Sequence, residues 1–118
     1  MQTEKIIFTV ENISAEMLKQ EMIFDNCILL DVRTKVEYIS EHIPGALNID
    51  IYDVQFSDKV LQLEKNTKIF VYCRTGHRSA LAANYLKKKG YDAVYNLQKG
   101  ILDWKKKGFD LKIHDNSL

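Results

Sequence analysis

The sequence predicts an α/β domain with a mostly parallel sheet, and three observations point there. Short apolar runs alternate along the chain with segments of helical pattern. The run Cys27-Ile28-Leu29-Leu30 is continuously apolar and ends in Asp31, the pattern of a strand covered on both faces. The 118 residues contain one proline, Pro44, and no repeat, low-complexity tract or linker. They are therefore expected to form a single domain, 1–118, around one core.

The elements follow in order. Ile6 to Val10 is β-branched and aromatic and reads as a strand. Ser14 can cap a helix running to about Glu21, with Glu16 in its first turn to complement the dipole. The buried strand at Cys27–Asp31 comes next. Thr34-Lys35-Val36-Glu37 is a capping box that starts a short helix. In His42-Ile43-Pro44-Gly45, Pro44 fixes φ and Gly45 can take the positive φ of a type II turn. Ala46 to Ile49 reads as a short strand and Phe56 to Leu63 as a helix. Lys68 to Tyr72 reads as a strand, and Ser79 to Lys89 as a helix closed by Gly90. Ala93 to Leu97 is the last strand and Ile101 to Lys107 the last helix.

Composition excludes several classes of function. Hydrophobic residues make up 46% and charged residues 28%, which argues against disorder. Seventeen basic residues balance sixteen acidic ones, so the chain is not a strongly basic nucleic-acid binder. No apolar run approaches the ~20 residues that span a bilayer. The chain reads as soluble and cytoplasmic, with its thiols reduced. Two cysteines 46 residues apart give neither a disulfide framework nor a four-ligand zinc site from cysteine alone, and neither metal nor cofactor is expected. The charge is uneven: residues 1–67 hold 6 basic and 12 acidic side chains, and residues 68–118 hold 11 and 4. A basic second half suits an anionic substrate, although the two lysine triplets, 87–89 and 105–107, read as solvated helix ends.

The chemistry concentrates in Cys73-Arg74-Thr75-Gly76-His77-Arg78-Ser79, which joins a strand to a helix. Cys73 falls at the carboxyl end of a parallel strand, where open α/β sheets bind ligands. The loop after it enters a helix N-terminus, whose backbone N–H groups have no partners within the helix and can converge on one point. Arg74 and Arg78 add positive charge, His77 can add more, and Gly76 lets the backbone curl. Each feature favours a thiolate at Cys73, suited to nucleophilic attack on an anion or to holding an anionic intermediate on sulfur. Cys27, among Ile28, Leu29 and Leu30, has no such surroundings and reads as a small buried hydrophobe. Four residues separate Cys73 from Arg78, one fewer than in the loop of Cys-based phosphatases, and Ser79 stands at the phosphatase arginine position. The shorter loop favours a smaller group on the cysteine, such as one sulfur atom.

These residues resemble the rhodanese family of sulfurtransferases along almost the whole chain. Leu30-Asp31-Val32-Arg33 with Glu37-Tyr38, then His42-Ile43-Pro44-Gly45-Ala46, the Cys73–Ser79 loop, Gly90-Tyr91, Gly100 and Trp104 all occur in the family's order. Glu41 and Gln98-Lys99 depart from its usual glycines, at turns peripheral to the loop. The resemblance implies a three-layer α/β/α fold with a five-stranded central sheet. It also implies a catalytic Cys73 that cycles through a persulfide. The thiolate takes the outer sulfur of thiosulfate, releases sulfite, and passes the sulfur to cyanide or a thiol.

Under that reading Arg74 and Arg78 bind the sulfonate-like oxygens, and the backbone N–H groups of Thr75, Gly76 and His77 line the cradle. Asp31 and Arg33 are expected to support the scaffold through loop or helix partners, with Arg33–Glu37 and Arg33–Glu41 as possible ion pairs, and Ser79 to support the loop. His42 reads as a locally bonded turn residue, and Trp104 and the tyrosines as core and rim. The competing functions are a persulfide carrier serving a partner protein, a phosphatase or arsenate reductase on the same scaffold, and a non-enzymatic binding module. Mercaptopyruvate ranks last among donors, because the family's enzymes for it carry a less arginine-rich loop.

Overall fold

The computed structural model describes residues 10–24 and 26–114. Its elements are β1 (Glu11–Ile13), α1 (Ala15–Phe24), β2 (Cys27–Asp31), α2 (Lys35–Ser40), β3 (Glu41–His42), β4 (Leu47–Asn48), α3 (Phe56–Val60), β5 (Lys68–Tyr72), α4 (His77–Lys88), β6 (Val94–Leu97), α5 (Gly100–Lys106) and β7 (Lys112–Ile113). Five strands form one sheet in the order β1-β6-β5-β2-β4, and every neighbouring pair is parallel.

The central strand shows why the sheet is buried on both sides. Successive side chains of a strand point to opposite faces. Ile69 and Val71 of β5 pack with Ala82, Ala83 and Leu86 of α4 and Val60 of α3. Phe70 and Tyr72, facing the other way, pack with Leu18 of α1 and with Ile101 and Trp104 of α5. Helices thus cover both faces, and the three-layer α/β/α architecture is the one the resemblance implied. The parallel pairing of β2 and β5 sets Asp31 opposite Tyr72, so both strands end at the same edge of the sheet.

The structure adjusts several boundaries. Ile6 to Thr9 of the expected first strand lie outside the described residues, and the strand that pairs with β6 is Glu11–Ile13. Ser14 caps α1 through a 3.1 Å bond from the Met17 N–H, and the helix continues past Glu21 to Phe24. Helix α3 stops at Val60, short of Leu63; the remainder is a turn closed by the Leu63 N–H on the Val60 carbonyl at 3.2 Å. Helix α4 begins at His77, ahead of Ser79, because Gly76 enters it with φ 109°. The antiparallel pair β3–β7, two residues a side, was not anticipated.

Two local motifs hold as read. Thr34 and Glu37 form a reciprocal capping box. Gly45 has φ 87° in a turn closed by the Ala46 N–H on the Ile43 carbonyl at 3.1 Å. Cys27 is half-buried rather than fully enclosed and packs against the α1/α5 side of the core. His42 stacks on Tyr38 with ring centroids 3.8 Å apart, and its Nδ1 lies 2.8 Å from the Tyr38 carbonyl. No helix among the described residues is long and apolar enough to cross a membrane.

Candidate active site

Strand β5 ends at Tyr72, and Cys73 follows with 1% of its surface exposed. Its sulfur sits inside a ring of donors. The Gly76 N–H approaches Sγ at 3.1 Å, the Ser79 N–H at 3.4 Å and the Ser79 hydroxyl at 3.3 Å. The turn that brings them together depends on Gly76, whose φ of 109° lies where a side chain is strained. A Cβ there would also stand 2.1 Å from the Gln98 carbonyl oxygen.

Burial is the strongest single influence on the Cys73 thiol and pushes its pKa up. The Ser79 hydroxyl, the N–H groups of Ser79 and Gly76, and that of Thr75 together outweigh burial and hold it below the ordinary thiol value. Donors that bond the charged form favour it.

The outer side of the loop is pinned from β6 and α5. The Ile101 N–H donates to the Cys73 carbonyl at 2.9 Å and the Leu102 N–H to the Arg74 carbonyl at 3.3 Å. These are first-turn donors of α5, without partners in their own helix. Holding the loop's carbonyls outward leaves its N–H groups to face the sulfur. The approach is close: a Cβ on Gly100, φ 65°, would lie 2.1 Å from the Arg74 carbonyl oxygen. Asn96 of β6 donates to the Gly76 carbonyl at 3.3 Å and to Asn12 Oδ1 at 3.1 Å.

The charged residues divide differently from expectation. Arg78 is engaged by Glu37 in a two-pronged pair, Nη1–Oε1 at 2.7 Å and Nη2–Oε2 at 3.0 Å. The pair raises Arg78, with a smaller push in the same direction from the Cys73 sulfur. It lowers Glu37 to about 2, with Arg78 the main cause and the Thr34 cap assisting against burial. Arg74 is exposed, and its side chain has no partner among the described residues. Thr75 and His77 are exposed as well, and Ser79 is wholly buried.

Asp31 and Arg33 bind each other. The guanidinium meets the carboxylate at 2.7–3.1 Å, the Arg33 N–H adds a 2.9 Å bond, and Arg33 Nη2 reaches the Glu41 carbonyl at 2.6 Å. Burial opposes the charge on Arg33, but Asp31 more than compensates and keeps it ionised. The suggested Arg33–Glu37 and Arg33–Glu41 ion pairs do not form, because Glu37 holds Arg78 and the Glu41 carboxylate holds Lys105 at 2.9 Å. Tyr72 joins this corner by accepting the Ile43 N–H at 3.0 Å.

Sequence reasoning missed the pinning of the loop by Asn96 and by the first turn of α5. A polar Asn96 inside the apolar run Val94–Leu97 was the available signal for the first. It also read Glu37 as a helix cap and a partner for Arg33, and nothing local links it to Arg78, 41 residues away.

Comparison with known proteins agrees with this geometry. The sequence profile of the rhodanese-like domain matches residues 14–107. YrkF of Bacillus subtilis, named as a candidate sulfur carrier protein, is 36% identical over 97 residues; the match takes in 81% of this chain but only 51% of YrkF, about half its length. A sulfurtransferase of Allochromatium vinosum is 32% identical over 103 residues, covering 86% of this chain and 94% of that one. Among solved structures, the rhodanese-like domain of the Anabaena protein Alr3790 superposes with TM-score 0.78 at 28% identity, covering 93% of this chain and 85% of that one. The matched segment holds the Cys73 loop, the helices of both layers and four of the five strands between them, and the chain belongs to the rhodanese-like domain family.

Proposed function

We propose that the chain is a sulfurtransferase whose Cys73 accepts a sulfane sulfur and passes it on. The observation that carries the reading is the set of three donors on one sulfur, from Gly76 N–H, Ser79 N–H and Ser79 Oγ–H. Such a cradle stabilises a negative charge at neutral pH without a bound cation. Thiosulfate is the donor the reading favours. The Cys73 thiolate attacks its outer sulfur, the S–S bond to the sulfonate breaks, and sulfite leaves with the electron pair. Cys73 is left as a persulfide anion. A thiol or cyanide then takes the sulfur, and Cys73 returns to thiolate. The lowered pKa of Cys73 favours the thiolate, and an ionised nucleophile requires no general base. Arg74, without a partner among the described residues, supplies the cation for the donor's oxygens. Arg78 contributes through its place beside the loop, held there by Glu37.

The test is intact mass after incubation with thiosulfate. The wild-type chain is expected to gain one sulfur and Cys73→Ser none. No gain, or an equal gain in the variant, overturns the reading. A second reading is that the sulfur goes to a partner protein, with thiosulfate only a convenient donor. The likeness to YrkF, which extends well beyond the matched segment and is named for carriage, favours it. Slow turnover with cyanide beside fast transfer to a cognate protein would select it.

A further inference from the structure

A cleft of about 190 Å³ borders the loop at Arg74, with Arg33, Glu37 and Glu41 on its walls and Ile101 and Leu102 as its apolar part. The charges around it are matched one by one. Arg33 has Asp31 at 2.7 Å, Glu37 has Arg78 at 2.7 Å, and Glu41 has Lys105 at 2.9 Å. Arg74 alone on these walls lacks a counter-ion among the described residues. The cleft therefore carries one uncompensated positive charge, on an exposed guanidinium whose fork suits a carboxylate.

Size limits what it can take. Sites that enclose whole ligands run to roughly 300–1,000 Å³. This one has room for a carboxylate and a few carbons. Position limits the step. Arg74 follows Cys73 directly in the chain, so the cleft borders the loop that carries the sulfur. In the second half-reaction the loop holds a persulfide anion and its donors are committed to sulfur. An incoming thiolate meets like charge. A cation outside the cradle offsets that repulsion if the acceptor carries a second anionic group to bind it.

We infer that the cleft at Arg74 is an acceptor subsite, and that it selects small thiols bearing a carboxylate two or three bonds from sulfur. The inference rests on the persulfide reading above. With the carboxylate on Arg74, the acceptor thiolate attacks the outer sulfur of the Cys73 persulfide. The Sγ–S bond breaks, its electron pair stays on Sγ, and the acceptor departs as a persulfide. The thiol's proton has already gone to solvent, and no oxidant or reductant is consumed.

The experiment loads the protein with thiosulfate, removes excess donor, and follows loss of the persulfide by intact mass in single turnover. Mercaptoacetate and 2-mercaptoethanol serve as acceptors, and the readout is the ratio of their rate constants. The ratio in each variant is compared with wild type, which cancels the thiols' intrinsic reactivities. Arg74→Gln is expected to lower the ratio about tenfold, the scale of one charge-assisted contact. Leu102→Asp, which keeps Arg74 but sets a negative charge on the opposing wall in the first turn of α5, is expected to lower it too. A ratio within twofold of wild type in both variants overturns the subsite while leaving the persulfide reading intact. A wild-type chain that never loads overturns both.

Discussion

Strands β2 and β5 lie side by side and end at one edge of the sheet, yet they finish in opposite ways. At the end of β2 the carboxylate of Asp31 receives a full positive charge, Arg33, and both are buried, 0% and 4% exposed. At the end of β5 the sulfur of Cys73 is bonded by N–H and O–H dipoles, while the Arg78 guanidinium is paired with Glu37. The first arrangement neutralises an anion and leaves it inert. The second stabilises an anion without tying it to a counter-ion, so it can still react. A guanidinium clamped directly on the sulfur would hold the charge and also block the line of attack. The difference separates a scaffold corner from a reactive one within a single edge of the sheet.

The largest way to break the comparison is at the scaffold corner. Asp31→Asn keeps the size and one acceptor oxygen but leaves Arg33 as a buried charge without its partner. Removing one member of such a pair typically costs about 3–5 kcal/mol. A urea midpoint measured at neutral pH should fall accordingly. A loss under about 1 kcal/mol would show that the Glu41 carbonyl suffices to hold Arg33, and that the two corners differ less than argued here.

At the reactive corner the effect should appear in acidity. Ser79→Ala removes the hydroxyl donor at 3.3 Å and leaves both backbone donors in place. One hydrogen bond to a charged group is worth about 1.5–3 kcal/mol, and one pKa unit is about 1.36 kcal/mol. The Cys73 pKa should rise by about one to two units, so the thiolate fraction at neutral pH falls. The pH profile of alkylation by iodoacetamide should move to higher pH by the same amount. An unmoved profile would assign the stabilisation to backbone N–H groups alone.

Much of both corners was legible before any coordinates. The strand at Cys27–Asp31, the Thr34–Glu37 capping box and the glycine at the mouth of α4 each write their structure locally, through apolar runs, a paired cap and a positive φ. The convergence of N–H groups on Cys73 followed from a strand running into a helix. Contacts between distant residues were not legible. Glu37 had three arginines it might have met, and the sheet's register and the packing of α2 against α4's first turn decided for Arg78. Pinning of the loop by α5 is of the same kind: Gly100 gives away its turn, but the carbonyl it must avoid belongs to Arg74. The β3–β7 pair, two residues a side, is too short to write any period into the sequence.

The smallest effect concerns the pair that ties the two corners' surroundings together, Glu37 with Arg78. Glu37→Gln keeps a side chain that can still complete the capping box, so α2 should survive. What it removes is charge. In the folded chain Glu37 is held at about 2, against an ordinary value of 4.5. Above pH 4.5 the carboxylate is ionised in both states and the pair's whole contribution is present. Between 4.5 and about 2 the unfolded chain takes up a proton that the folded chain refuses, so stability drains away as pH falls. Below about 2 nothing of it remains. The two side chains are 20% and 28% exposed, and screening by solvent reduces the contribution to about 1 kcal/mol. Urea unfolding at neutral pH should therefore find the variant less stable by about that much, and at pH 2 the gap should close. A gap that persists in acid would mean that Arg78 is held by hydrogen-bond geometry rather than by charge. The reactive corner would then owe the position of its second arginine to the same kind of dipolar contact that holds its sulfur.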